Sequence, residues 1–134
     1  MRLLVCGGRR YDNRELVVRV LDWIHRVRPI AVLLNGAATG ADSLARSWAY
    51  RARVKVENYP ANWTRDGNKA GSIRNAAMLR IGQPDMVLAF PGDYGTGDMV
   101  GRAYAASVSV SFINEDRLSY TSPPKQLPRT IKSA

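Results

Sequence analysis

The chain has 134 residues, 46% of them apolar, with 20 Lys and Arg against 11 Asp and Glu and a formal net charge of +9. That length supports one hydrophobic core, and no apolar run approaches the ~20 residues of a membrane helix, so no membrane partner is expected. A single cysteine and a single histidine leave no internal disulfide and no zinc cluster, which fits a cytoplasmic protein without a metal.

Arg2-Leu3-Leu4-Val5-Cys6 reads as a first strand, too short for the apolar region of a signal peptide. Cys6 closes it as a buried, inert thiol. Gly7-Gly8-Arg9-Arg10 follows as a glycine-rich, cationic loop. Asp12 stands three residues before Glu15, a capping-box-like helix start. Val17, Val20, Leu21, Ile24 and Val27 then form one helical stripe, which Pro29 ends. His25 lies beside that stripe, in a packing or surface role.

Residues 30–34 are a continuous apolar run, as in a strand covered on both faces. The run opens into a second glycine-rich loop over 35–42. Leu44, Ala45, Trp48, Ala49 and Ala52 continue at helical spacing, with Asp42 as the expected N-cap. Residues 55–59 read as a short third strand, closed by Pro60. Residues 60–72 read as a long irregular connection carrying Trp63, Arg65 and Lys69. A helix is expected from Ile73. Arg74 then falls in its first turn, where the macrodipole disfavours a cation unless an anion shares the site.

Residues 86–90 are a buried strand that runs into a turn holding Gly92, Gly95 and Gly97. Met99, Val100, Ala103, Tyr104 and Ala106 recur after it at helical spacing. Residues 108–113 alternate as a last, edge strand. Residues 119–134 carry Lys125, Arg129 and Lys132 with no acid and three prolines. They read as a mobile basic tail behind one folded domain over residues 1–118.

The strand–helix alternation predicts an α/β, three-layer sandwich with a mainly parallel sheet of about five strands and helices on both faces. In such a sheet the loops 7–10, 36–42 and 92–97 leave one edge and line one crevice. Backbone N–H groups, Arg9 and Arg74 there suit phosphate. Asp42, Asp93 and Asp98 suit a ribose hydroxyl. No G-x-G-x-x-G and no P-loop pattern is present, so no dinucleotide cofactor is expected.

Several ordered motifs carry a family resemblance. They are Gly7-Gly8-Arg9 with Tyr11-Asp12, the run 35–42, Pro60-Ala61-Asn62-Trp63, residues 70–78, and residues 89–96. Together they resemble the YspA-like branch of the SLOG superfamily. That superfamily also holds the lonely-guy phosphoribohydrolases and the DNA-processing protein DprA. The resemblance implies a Rossmann-like fold and a nucleotide or nucleic-acid ligand. It completes a candidate ligand-binding set. The first loop supplies Gly7, Gly8 and Arg9. The second supplies Gly36, Ala37, Gly40 and Asp42. Arg74 and Asn75 come from the helix after the long connection. The third loop supplies Pro91, Gly92, Asp93, Gly95 and Thr96.

The phosphoribohydrolases carry P-G-G-x-G-T-x-x-E, whose glutamate is catalytic. Here Asp93 replaces the second glycine and Met99 occupies the glutamate position. Asp98 is one residue early, about 100° away on a helix. Three functions remain open. The first is binding of a nucleotide or nucleotide-derived small molecule, as sensor or processing protein. The second is an N-glycosidase or phosphoribohydrolase-type enzyme with Arg74 and Asp98 as catalytic residues. The third is nucleic-acid binding related to DprA. A homo-oligomer is compatible with each.

Overall fold

A computed structural model describes residues 1–114. The expected basic tail and the domain end at residue 118 lie outside those residues. Five strands form one parallel sheet in the order β3-β2-β1-β4-β5. They are β1 (Arg2–Cys6), β2 (Val32–Asn35), β3 (Lys55–Asn58), β4 (Met86–Ala89) and β5 (Ser109–Phe112). The helices are α1 (Arg14–Val27), α2 (Ala41–Ala52), α3 (Trp63–Asp66), α4 (Ala70–Arg80) and α5 (Tyr94–Ala105). The fold is α/β and Rossmann-like, as the alternation predicts.

The layers follow from the period of a strand, which sends successive side chains to opposite faces. Leu3 and Val5 pack with Leu16, Val17, Leu21 and Trp48, under α1 and α2. Leu4 and Cys6 pack with Met78, Met99, Val100 and Ala103, under α4 and α5. Strand β1 is central, paired to β2 on one side and β4 on the other. The chain therefore reverses direction across the sheet between β1 and β4. The carboxyl ends of these strands are the topological switch point where such sheets take ligands. No helix among the described residues is long and apolar enough to cross a membrane.

Several local expectations change. Asn13, not Asp12, caps α1, accepting the Leu16 N–H at 3.1 Å. The second strand begins at Val32, and the Ile30 N–H before it is taken by His25 Nδ1 at 3.0 Å. His25 also meets the Trp48 ring edge-on at 5.5 Å, which is packing, one of the two roles expected of it. The N-cap of α2 is Gly40, and Asp42 lies within the first turn. Residues 60–72 are not irregular. They hold α3, a single 3-10 turn over Gly67–Lys69, and the start of α4 at Ala70. Arg74 therefore lies in the second turn of its helix, beyond the reach of the dipole argument. Helix α5 begins at Tyr94, so Gly95 and Gly97 are helical and the third loop is shorter than its glycines suggest.

Candidate functional site

The first, second and third loops interlock through backbone. The Gly8 N–H donates to the Pro91 carbonyl at 2.8 Å, and the Ala41 N–H donates to the Gly8 carbonyl at 3.1 Å. Gly40 has φ +73°, and a Cβ there would collide with the Gly8 carbonyl. A Cβ on Gly92 would collide with Thr96 Oγ1 and come within 2.8 Å of the Gly8 nitrogen. Gly8, Gly40, Pro91 and Gly92 thus join loop to loop and do not line the crevice between them. Gly40→Ala should lower unfolding free energy by about 1–3 kcal/mol through strain at positive φ and backbone overlap. Denaturant unfolding checks this, and an unchanged midpoint would contradict it.

The second loop is held by buried polar side chains. Asp42 is 6% exposed. Its Oδ2 accepts the Gly36 N–H at 3.1 Å and the Ala38 N–H at 3.2 Å. Burial pushes the Asp42 carboxyl above its usual range, against the pull of those two N–H groups and of Arg74 and Arg46. Asn35 Oδ1 accepts the Ala37 N–H at 2.8 Å and Arg46 Nη1 at 2.9 Å. Asp42, expected as a ligand contact, and Asn35 beside it first of all fix the loop.

Arg74 reaches from α4 toward that loop. Its Nη1 donates to the Gly36 carbonyl at 2.5 Å, and its Nε donates to Asn75 Oδ1 at 2.8 Å. The side chain is half-buried, yet no ion pair of Arg74 occurs among the described residues. Burial lowers its pKa, partly offset by the Asp42 charge and reinforced by Arg9. Asn75 is buried and bridges onward. Its Nδ2 donates to Asp98 Oδ2 at 3.0 Å and to the Gly95 carbonyl at 3.3 Å. Asp98 also accepts Arg102 Nε at 3.0 Å. Burial would raise the Asp98 carboxyl, but hydrogen bonds from Asn75, Arg102 and Ser72 outweigh it and hold the pKa below the usual range. Met99 is 1% exposed and packs into the core. The one-residue offset therefore leaves Asp98 in the crevice and Met99 out of it.

The crevice has a volume of about 260 Å³ at the carboxyl ends of β1, β2 and β4. Of the expected ligand-binding residues, Gly7, Arg9, Gly36, Asp42, Arg74, Asn75, Asp93, Gly95 and Thr96 line it, together with Asp98. Ala37 lines an adjoining recess instead. Sequence reasoning missed Asn68, Gly71 and Ser72, and left Trp63 outside the site. The available signal was Asn62, whose Oδ1 accepts the Arg65 N–H at 3.0 Å and starts α3 with Trp63 at its head. Cys6 also lines the crevice. Burial pushes its thiol far above the usual range, so it stays protonated.

The model of the YspA, cpYpsA-related SLOG family matches residues 1–65. The Gene 61 protein of Mycobacterium phage D29 is 37% identical over 117 residues, covering 81% of this chain and 93% of that protein. The chain belongs to the YspA, cpYpsA-related SLOG family. Among solved structures, this SLOG chain is similar to DNA processing protein A (DprA) from Streptococcus pneumoniae, with a TM-score of 0.65 and 15% identity. That likeness covers 91% of the SLOG chain and 57% of the DprA chain. UDP-GlcNAc 2-epimerase from Neisseria meningitidis, bound to UDP-GlcNAc, gives a TM-score of 0.52 at 14% identity over 96% of this chain and 37% of that one. At these identities the likeness is one of fold. The family model's match ends at Arg65, so the parts assigned to Arg74, Asn75 and Asp98 rest on their geometry.

Proposed function

We propose that this SLOG domain binds a nucleotide or a nucleotide-derived small molecule, with its phosphate between Arg74 and the first turn of α5. The observation that carries the reading is Arg74, a half-buried cation in the crevice without an ion pair among the described residues. A desolvated charge is costly unless opposite charge meets it; Asp42 offsets part of that cost at a distance, and a bound phosphate supplies a direct partner. Gly95 and Thr96, in the first turn of α5, line the same crevice. Their backbone N–H groups have no helical partner and favour an anion. Family membership and the UDP-GlcNAc held by a protein of similar fold support the same ligand class. Mass spectrometry of small molecules released from the purified protein tests it, paired with calorimetry of nucleotides against nucleosides. Phosphorylated nucleosides should bind more tightly than their nucleosides, and equal affinities would contradict the reading.

A second reading is cleavage of the N-glycosidic bond of such a ligand. Asp98 favours it, as an ionised carboxylate in the crevice. Asp98→Asn separates the two. Under the binding reading the amide keeps an acceptor, affinity falls less than about threefold, and the wild type releases no base. Release of base by the wild type, lowered by orders of magnitude in Asp98→Asn at similar affinity, would make the domain a hydrolase. A nucleic-acid strand as occupant would instead show affinity falling steeply with salt, one step for each phosphate contacted.

A further inference from the structure

The crevice alone is smaller than the ~300 Å³ at the lower end of small-molecule sites. A second recess of about 360 Å³ adjoins it, lined by Thr39, Pro60 and Ala61. Arg9, Trp63 and Arg74 line both. A ligand with its phosphate at Arg74 has room to extend past Trp63 into the second recess.

Trp63 is placed for that contact. It is 48% exposed, while Trp23 and Trp48 are buried. Its backbone is fixed in α3 by the Asn62 cap and by the Gly67 N–H, which donates to the Trp63 carbonyl. The Arg9 guanidinium lies over its ring at 5.0 Å from the centroid. An indole held in place and half open to solvent, where two recesses meet, offers a planar face to a planar ligand group. Tyr94 is also exposed beside the crevice, but it lines the first recess and not the second.

We propose that Trp63 is the base-stacking residue of this site and that Arg9 holds it there. The inference rests on the phosphate reading of the crevice and adds the residue that recognises the base. Stacking on an aromatic ring tolerates any base, because every base has a π-face. Trp63 therefore selects for nucleotides over sugar phosphates without choosing among the bases.

The test uses the intact protein with AMP, GMP, CMP and UMP against ribose 5-phosphate, which keeps the sugar and phosphate and lacks the base. By calorimetry the wild type should bind the nucleotides about 5- to 100-fold more tightly than ribose 5-phosphate. Trp63→Ala should erase that gap by weakening the nucleotides and leaving ribose 5-phosphate within about twofold, whereas Trp63→Phe should keep most of it. Because the other two tryptophans are buried, protection from acrylamide quenching reports on Trp63, and nucleotides but not ribose 5-phosphate should confer it. Thermal melts show whether each variant folds. Equal affinity of the wild type for all five probes would overturn base stacking and leave the phosphate reading standing. An equal loss for all five in Trp63→Ala would show that Trp63 only shapes the loop, and would also overturn it. Binding of none of them by the wild type would remove the phosphate reading itself.

Discussion

Arg74→Ala should weaken binding of a nucleoside monophosphate by about 10- to 100-fold and leave the bare nucleoside within about twofold, because charge-assisted hydrogen bonds to phosphate contribute roughly 1.5–3 kcal/mol. The side chain forms no ion pair among the described residues, and its removal leaves the buried Asp42 carboxylate with the charge of Arg46 and the Gly36 and Ala38 N–H groups. It also removes the bonds from Nη1 to the Gly36 carbonyl and from Nε to Asn75 Oδ1. Some loosening of the second loop would weaken phosphorylated and bare ligands alike, and the nucleoside measures that part. Arg74→Lys keeps the charge but loses the planar fork that grips a phosphate with two bonds, so its affinity should fall between wild type and Arg74→Ala. Calorimetry on all three proteins reads the result. Equal affinity of wild type and Arg74→Ala for the monophosphate would remove the anion role of Arg74.

Asp42→Ala should cost the fold about 1–3 kcal/mol, because it leaves one buried and one part-buried N–H donor without an acceptor. Those donors are Gly36 N and Ala38 N, both now bonded to Oδ2. The substitution also withdraws the negative charge that partly offsets the burial of Arg74. Asp42→Asn keeps an acceptor and should lose less. Its pH dependence is diagnostic. Burial raises the folded-state pKa of Asp42 above the ordinary 3.8. The folded state thus binds this proton more tightly than the unfolded state. The resulting stabilisation is fully present below the unfolded pKa and is lost as pH rises through the folded one. The stability difference between wild type and Asp42→Asn should therefore move in the variant's favour as pH rises from the ordinary 3.8 through the higher folded-state value. Denaturant midpoints across that range check both statements. A midpoint for Asp42→Ala equal to wild type would show that the loop does not depend on the carboxylate.

The sheet was legible because its strands are continuous apolar runs and its loops carry glycine. Leu3 to Cys6 and Met86 to Ala89 are buried on both faces, which is what an unbroken run of large apolar residues requires. The meeting of Arg74, Gly95 and Asp98 in one crevice was legible from topology, since each follows a strand at the same edge. The offset between Asp98 and Met99 was also legible, because 100° on a helix separates a core position from a crevice position. The role of the glycines was not. A glycine that admits a phosphate and one that admits another loop look alike in sequence, and Gly8, Gly40 and Gly92 admit neighbouring loops. Asp42 resembled an N-cap because acids favour helix starts. Its actual partners are the loop N–H groups before the helix, a contact set by burial and not by spacing. Gly67 and Gly71 disguised the helical turns of residues 63–72, since glycine scores poorly in any helix. Trp63 was displaced from the site for the same reason.

A crystal structure of the protein soaked with AMP reads the location of the phosphate directly. Phosphate density within hydrogen-bond reach of the Arg74 guanidinium and of the backbone N–H groups of Gly95 and Thr96 is the expected result. A phosphate bound away from Arg74, or an empty crevice at an AMP concentration that saturates the protein in solution, would contradict nucleotide binding at this site.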